Sequence, residues 1–333
     1  MAMGKKMINL ETKYMGLTLK SPLIMASSRL SSKIANTQKA EEYGAGAVIL
    51  RSLFEEQIMA EIYKGEPDNI AEYHPEAADY YNNIAKDYSI SKYFKLIEET
   101  KNAVEMPVLA SIHCISKGQW IEYATRLENA GADGLELNLY ITPDNPSQNS
   151  TDIEAHYLDI IKEVQSRVKI PVAVKLSPYF TNLYQMAEKI DKTGVSSIVL
   201  FNRYYTFDID VDKMALTSGN LLSSEDENST TLRWVSLIYG RIKADLSAGT
   251  GIHNAKTAIK QMLAGASTVQ VASVLYKNDM KSLSEIVTGI GSWMQEKGFN
   301  YTEEFRGKLS KVQSKEPYSY ERVQFIRQDM DVK

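Results

Sequence analysis

Lys175 lies in an apolar run, Val172-Ala173-Val174-Lys175-Leu176-Ser177, that reads as a buried β-strand. An ammonium group there needs a permanent anionic partner. Three chemistries suit it: a structural ion pair, a Schiff-base nucleophile, or a cation beside a ring that becomes anionic. Glu136 and Asn138 stand two apart on another apolar run, so they share one face of a strand. Inside a barrel, Glu136 could pair with Lys175. Gly249-Thr250-Gly251 precedes a helix predicted to begin near Asn254. Small residues let backbone N–H groups approach an anion, and a helix N-terminus adds partial positive charge. Ala272-Ser273 offers a second set of donors, so a phosphate is expected here; an ordinary tight turn is the alternative. The histidines carry less: His74 and His156 are expected on the surface, His253 as a helix cap, and His113 with Cys114 as packing at a strand end. No His, Cys, Asp or Glu set has metal-ligand spacing.

The elements that must position these groups alternate regularly. Strands are predicted at Pro22–Ser28, Ala47–Ser52, Pro107–His113, Gly134–Tyr140, Pro171–Ser177, Ser197–Asn202, Ala244–Gly249 and Thr268–Ser273. Between them, Ala35–Tyr43, Tyr93–Val104, Ile121–Ala130, Tyr157–Val168, Leu183–Lys192 and Ala255–Ala264 carry apolar residues at helical spacing. Such alternation implies parallel βαβ units. Eight of them predict an α/β fold, a (β/α)8 TIM barrel. An open doubly wound sheet is the rival, weakened by the lack of G-x-G-x-x-G after the first strand. Two stretches exceed the repeat: Leu53–Ser91 after strand two and Arg203–Thr231 after strand six. Both are expected to be lids or binding loops at the barrel mouth, with a disordered linker as the alternative. The chain is read as one domain, residues 1–333, with a core over 10–310 and a tail over 311–333.

Polar residues at the C-terminal ends of barrel strands face the mouth. That rule selects Ser27 and Ser28, Arg51 and Ser52, Asn138, Tyr140 and Thr142, Lys175 and Ser177, and Asn202 and Arg203. The bulk composition fits an enzyme of this type. Of 333 residues, 44% are hydrophobic and 24% charged, which allows a full core. A net charge of −4 offers no basic surface for nucleic acid. No apolar run reaches the roughly 20 residues of a membrane span. The opening MAMGKKM does not lead into a signal peptide, and one cysteine excludes an internal disulfide. A cytoplasmic enzyme acting on a small molecule is expected.

Four stretches carry a resemblance. Pro22-Leu-Ile-Met-Ala-Ser, Glu136-Leu-Asn-Leu, Val174-Lys-Leu-Ser-Pro-Tyr-Phe and the late glycine turn resemble the dihydroorotate dehydrogenase family, its soluble class especially. The resemblance extends from Leu10 to Ser310. It implies a barrel that binds flavin mononucleotide (FMN) and oxidises dihydroorotate to orotate in pyrimidine biosynthesis. It implies that Lys175 contacts the flavin near N1 and O2, that Asn138 and Asn202 meet substrate, and that Asn202 also borders the cofactor. The phosphate would lie on Gly249, Thr250, Gly251, Ala272 and Ser273. Backbone at Ala26 and Ser27, and the Arg51-Ser52 pair, would meet the flavin. A homodimer is implied, and any iron–sulfur cluster would belong to a separate redox partner.

The departures from the family pattern bear on the substrate. Arg51-Ser52 replaces Lys-Ser, and the planar, bulkier guanidinium cannot make the same contact. Where a Cys or Ser base followed by Pro-Asn is expected, the chain reads Asn138-Leu-Tyr-Ile-Thr-Pro-Asp-Asn145. Aligned without a gap, Ile141 takes the base position; with one inserted residue, Thr142 does, and Tyr140 is a further option. The glycine pair after strand six is replaced near Glu225–Thr230, and the asparagine loop after strand two is unrecognisable. Besides dihydroorotate oxidation, the residues therefore allow a flavin-binding relative with another substrate, a phosphate-binding lyase or aldolase using Lys175, or a non-catalytic binding protein.

Overall fold

A computed structural model describes residues 8–62, 90–114, 121–143, 145–204 and 206–321. The chain opens with an antiparallel hairpin, β1 (Thr12–Tyr14) and β2 (Leu17–Leu19), turning at Met15 and Gly16. There follow β3 (Leu23–Met25), α1 (Ile34–Glu42), β4 (Ala47–Ile49), β5 (Leu53–Phe54), α2 (Glu55–Ile62) and α3 (Ile90–Ala103). Next come β6 (Val108–Cys114), α4 (Ile121–Asn129), β7 (Gly134–Leu139), α5 (Ser150–Arg167), β8 (Val172–Leu176), α6 (Leu183–Asp191) and β9 (Ser197–Leu200). The last part holds β10 (Phe207–Asp210), β11 (Ala215–Ser218), α7 (Asn228–Ile238), β12 (Asp245–Ala248), α8 (Ala255–Ala264), β13 (Thr268–Val271), α9 (Ser273–Asn278) and α10 (Ser282–Lys297).

The parallel strands pair in the order β4-β3-β13-β12-β9-β8-β7-β6, and β4 also pairs with β6. The sheet therefore closes on itself as the eight-stranded barrel with helices outside. The predicted second strand, Ala47–Ser52, ends at Ile49, and the short β5 falls in what was predicted as insertion; both pair with β6, and Arg51 and Ser52 lie between them.

Closure creates two apolar cores. Alternate residues of each strand point outward to the helices, as Leu135, Leu137 and Leu139 do on β7, and join the larger cluster. The inward set forms a smaller cluster of Ile24, Ala47, Ile49, Leu109, Ala173 and Val199, closed from below by Tyr14 and Met15 of the first hairpin. The Met15 N–H holds that plug by donating to Asp245 Oδ2 at 2.8 Å. One step up the same inward rows, the apolar residues give way to Ser111, Glu136, Lys175 and Gln270. Period-two alternation thus puts the polar floor directly above an apolar plug.

The segment after β9 holds an exposed hairpin. Phe207 pairs with Ser218 and Asp210 with Ala215. The helix α7 already begins at Asn228, so the insertion ends slightly before its predicted limit of Thr231. Most of Leu53–Ser91, with His74, lies outside the described residues. Of the tail, Lys311 N–H donates to Ser236 O at 2.9 Å and Tyr320 OH to Leu309 O at 2.7 Å, so 311–321 packs on the body. Residues 322–333 lie outside the described residues.

Candidate active site

A cavity of about 240 Å³ opens at the C-terminal mouth of the barrel. Its floor carries Lys175. The wall formed by the first strand contributes Ala26 and Ser27, and Asn202 borders it after β9. Gly249, Thr250 and Gly251 after β12, with Ala272 and Ser273 after β13, line the same cavity. Eleven of the residues selected from sequence, Ser28 and Arg203 included, therefore line one space.

The floor is a three-residue network. Lys175 Nζ donates to Glu136 Oε1 at 3.3 Å and to Gln270 Oε1 at 2.9 Å. Gln270 Nε2 donates to Glu136 Oε2 at 2.8 Å. All three side chains are buried. The ion pair is thus closed into a ring by one amide, which satisfies the carboxylate and fixes the lysine. Gln270 was not selected by sequence, although it stands two residues before Ala272 on one strand face. That period-two relation was the available signal.

At the far end, Thr250 has φ +68° and Gly251 φ +73°. A β-branched residue rarely adopts the left-handed region, and holding it costs on the order of 1–3 kcal/mol. Thr250 Oγ1 donates to Phe201 O at 3.1 Å, which helps to hold it. A Cβ on Gly251 would run into the backbone of Asn228, so this loop needs glycine. Helix α8 is capped from within: Thr257 N–H donates to Asn254 Oδ1, and Asn254 N–H to Thr257 Oγ1. That box engages part of the helix N-terminus expected to face a phosphate.

Ser223, absent from the sequence selection, ties this end together. Its N–H donates to Ser273 Oγ at 3.0 Å, and its hydroxyl sits 3.1 Å from His253 Nε2. Gly251 N–H donates to Ser223 Oγ at 3.3 Å, and Lys277 Nζ to Ser223 O at 2.7 Å. Burial, and next the Lys277 charge, push the His253 pKa down, favouring the neutral ring. Nothing in the local sequence marked Ser223. Nearby, Arg203 Nε donates to Glu227 Oε2 at 2.8 Å, so its charge is paired.

The other selected residues lie beside the cavity. Ser52 Oγ is 3.2 Å from Ser27 Oγ and 2.8 Å from Ser111 Oγ. Arg51 and Ser52 line a second space of about 390 Å³. Asn202 Nδ2 donates to Asn138 Oδ1 at 2.8 Å. Tyr140 stacks on Tyr204 with centroids 3.9 Å apart, and Tyr179 lies 6.4 Å from Tyr204. Ile141 N–H donates to Tyr157 OH at 3.0 Å, whereas Thr142 is exposed and lines neither space. Burial pushes the Tyr204 and Tyr157 pKa values up, so these hydroxyls hold their protons.

Comparison with known proteins bears on this arrangement. The family profile for dihydroorotate dehydrogenase matches residues 9–294. The chain belongs to the dihydroorotate dehydrogenase family. That family comprises oxidoreductases acting on a CH–CH bond. A relative from Aeropyrum pernix, named a putative dihydroorotate dehydrogenase A (fumarate), is 28% identical over 88% of this chain and 94% of its own length. The dihydroorotate dehydrogenase B (NAD(+)) catalytic subunit of Thermoplasma volcanium is 26% identical over 90% of the chain and 98% of its own length. Its counterpart from Methanocaldococcus jannaschii is 25% identical, covering 88% and 96%. Among the described residues, no helix is long and apolar enough to cross a membrane.

The residues present fit the flavin expected of a dihydroorotate dehydrogenase family member. Lys175 is a buried cation in the cavity lining, and a Cβ at Gly249 would crowd the Phe201 carbonyl and one at Gly251 the Asn228 backbone, which leaves the loop backbone open to a phosphate.

Proposed function

We propose that this chain binds FMN in the mouth cavity and oxidises dihydroorotate to orotate. One observation carries the reading: buried Lys175 and the left-handed Thr250-Gly251 turn line one cavity. When bound, FMN supplies the hydride acceptor. Lys175 places positive charge where the ring gains negative charge. The Asn202–Asn138 bond uses one donor and one acceptor of the pair, leaving Asn138 N–H and Asn202 C=O groups to grip an amide-rich ring. Thr142 is assigned the proton-accepting hydroxyl; it lies outside the cavity, so the proton must reach it through a water relay. The visible spectrum of the purified protein tests the cofactor, and anaerobic dihydroorotate tests the substrate. Bleaching of a yellow protein is expected; a colourless protein that takes up no FMN overturns the reading.

A second reading keeps FMN but changes the substrate. It is favoured by the Tyr140–Tyr204 stack, which stands where the family carries its base loop. Bleaching by a chemical reductant but not by dihydroorotate would select it. The lyase reading is opposed by the floor network, since Lys175 Nζ is committed as a donor to Glu136 and Gln270. The proposal includes a homodimer and a separate redox partner; Phe207, Ile209, Met214 and Leu216 are exposed on the hairpin and give apolar surface for such contacts.

A further inference from the structure

We infer that Glu136 and Gln270 are positioning residues that set the charge Lys175 presents to the ring end of the cavity; this rests on the FMN reading above. Glu136 and Lys175 come from neighbouring strands, β7 and β8, with side chains only 2% and 9% exposed. Gln270 comes from β13, three strands beyond β8 around the barrel, so its amide reaches across the interior. Lys175 and Gln270 line the cavity, whereas Glu136 stands behind them. The amide has one orientation that satisfies both partners. Its oxygen accepts from the ammonium and its nitrogen donates to the carboxylate; a flip would set donor against donor.

The electrostatic consequence is specific. A cation alone beneath a ring would strongly favour added negative charge. A cation backed by a buried carboxylate favours it less, because both charges act through a weakly screening interior. Glu136 thereby holds the reduction potential of the bound flavin below the value Lys175 alone would give. Gln270 keeps the ammonium turned toward both the carboxylate and the cavity.

The test is the flavin midpoint potential of the FMN-loaded protein at fixed pH, with sulfite affinity of the oxidised flavin as a second reading of the same charge. Glu136→Gln removes the charge and keeps the shape. It is expected to raise the potential by about 30 mV or more, the two-electron equivalent of tenfold, and to tighten sulfite binding about tenfold. Glu136→Asp keeps the charge and is expected to stay near wild type. Gln270→Glu adds a carboxylate and is expected to shift both readouts the opposite way. It carries the test by itself if Glu136→Gln holds no FMN. A flavin-loaded wild type with Glu136→Gln unmoved, with Gln and Asp equal, or with Gln270→Glu unmoved, overturns the inference alone. A wild type that takes up no FMN overturns the cofactor reading with it.

Discussion

Asn202, just beyond β9, and Asn138 of β7 are joined by a 2.8 Å hydrogen bond, and β8 lies between those two strands. The bond passes over Lys175's own strand and fixes both amides relative to it. Replacing Asn202 with Ala removes a donor and leaves the Asn138 oxygen short of a partner. A loss of about 1–3 kcal/mol in transition-state binding is expected, roughly five- to 150-fold in kcat/KM. Stopped-flow flavin reduction over a dihydroorotate series checks it, with FMN content measured alongside to separate a substrate effect from weaker cofactor binding, since Asn202 lines the same cavity.

Gly251→Ala tests the cradle. The position has φ +73°, and the added Cβ meets the Asn228 backbone. Stability is expected to fall by about 2 kcal/mol or more, with weaker FMN retention. Urea unfolding with and without excess FMN separates the two effects. An alanine variant as stable and as yellow as wild type would exclude a required close approach at this loop.

Thr142→Ala tests the assigned base. On the first reading, the rate of flavin reduction at saturating dihydroorotate drops at least about tenfold, at the low end for a positioned proton acceptor. An unchanged rate removes Thr142 from the mechanism and favours the reading with another substrate.

His113 gives a pH dependence. Burial pushes its pKa down, opposed by the Glu55 carboxylate. The unfolded chain therefore takes up a proton at higher pH than the folded one. Its stability contribution is present above about pH 6.5, the ordinary histidine value, and is lost as pH falls through the lower folded value. Denaturant unfolding at pH 7.5 and 5.5 should show wild type losing more stability than His113→Gln. Equal losses would exclude His113 as a source.

The barrel was legible because its signal repeats: strands with every residue buried, such as Val172–Leu176, and glycines that stop helices, as Gly265 does at φ +131° after α8. Lys175 was legible because a charge inside such a strand is unusual. The hairpin of β10 and β11 was not, since its exposed Phe207, Ile209 and Leu216 obey no burial pattern. Ser223 was illegible for another reason. A serine in an irregular loop acquires its role only from partners 28 to 54 positions away. Gln270 lay between, visible by strand alternation but given meaning only by Glu136, 134 positions earlier.

The long sequence spans around Gln270 and Ser223 impose an order of events on biosynthesis. Glu136 and Lys175 can meet once the fifth barrel strand has emerged, yet the floor stays open until β13 delivers Gln270. The Ser223 strap waits longer, for Ser273 and Lys277. A ribosome must therefore have made about five-sixths of this sequence before both the floor and the strap are complete. On the FMN reading, coenzyme capture waits for the nearly complete polypeptide, and shortened products ending before Lys277 should emerge colourless.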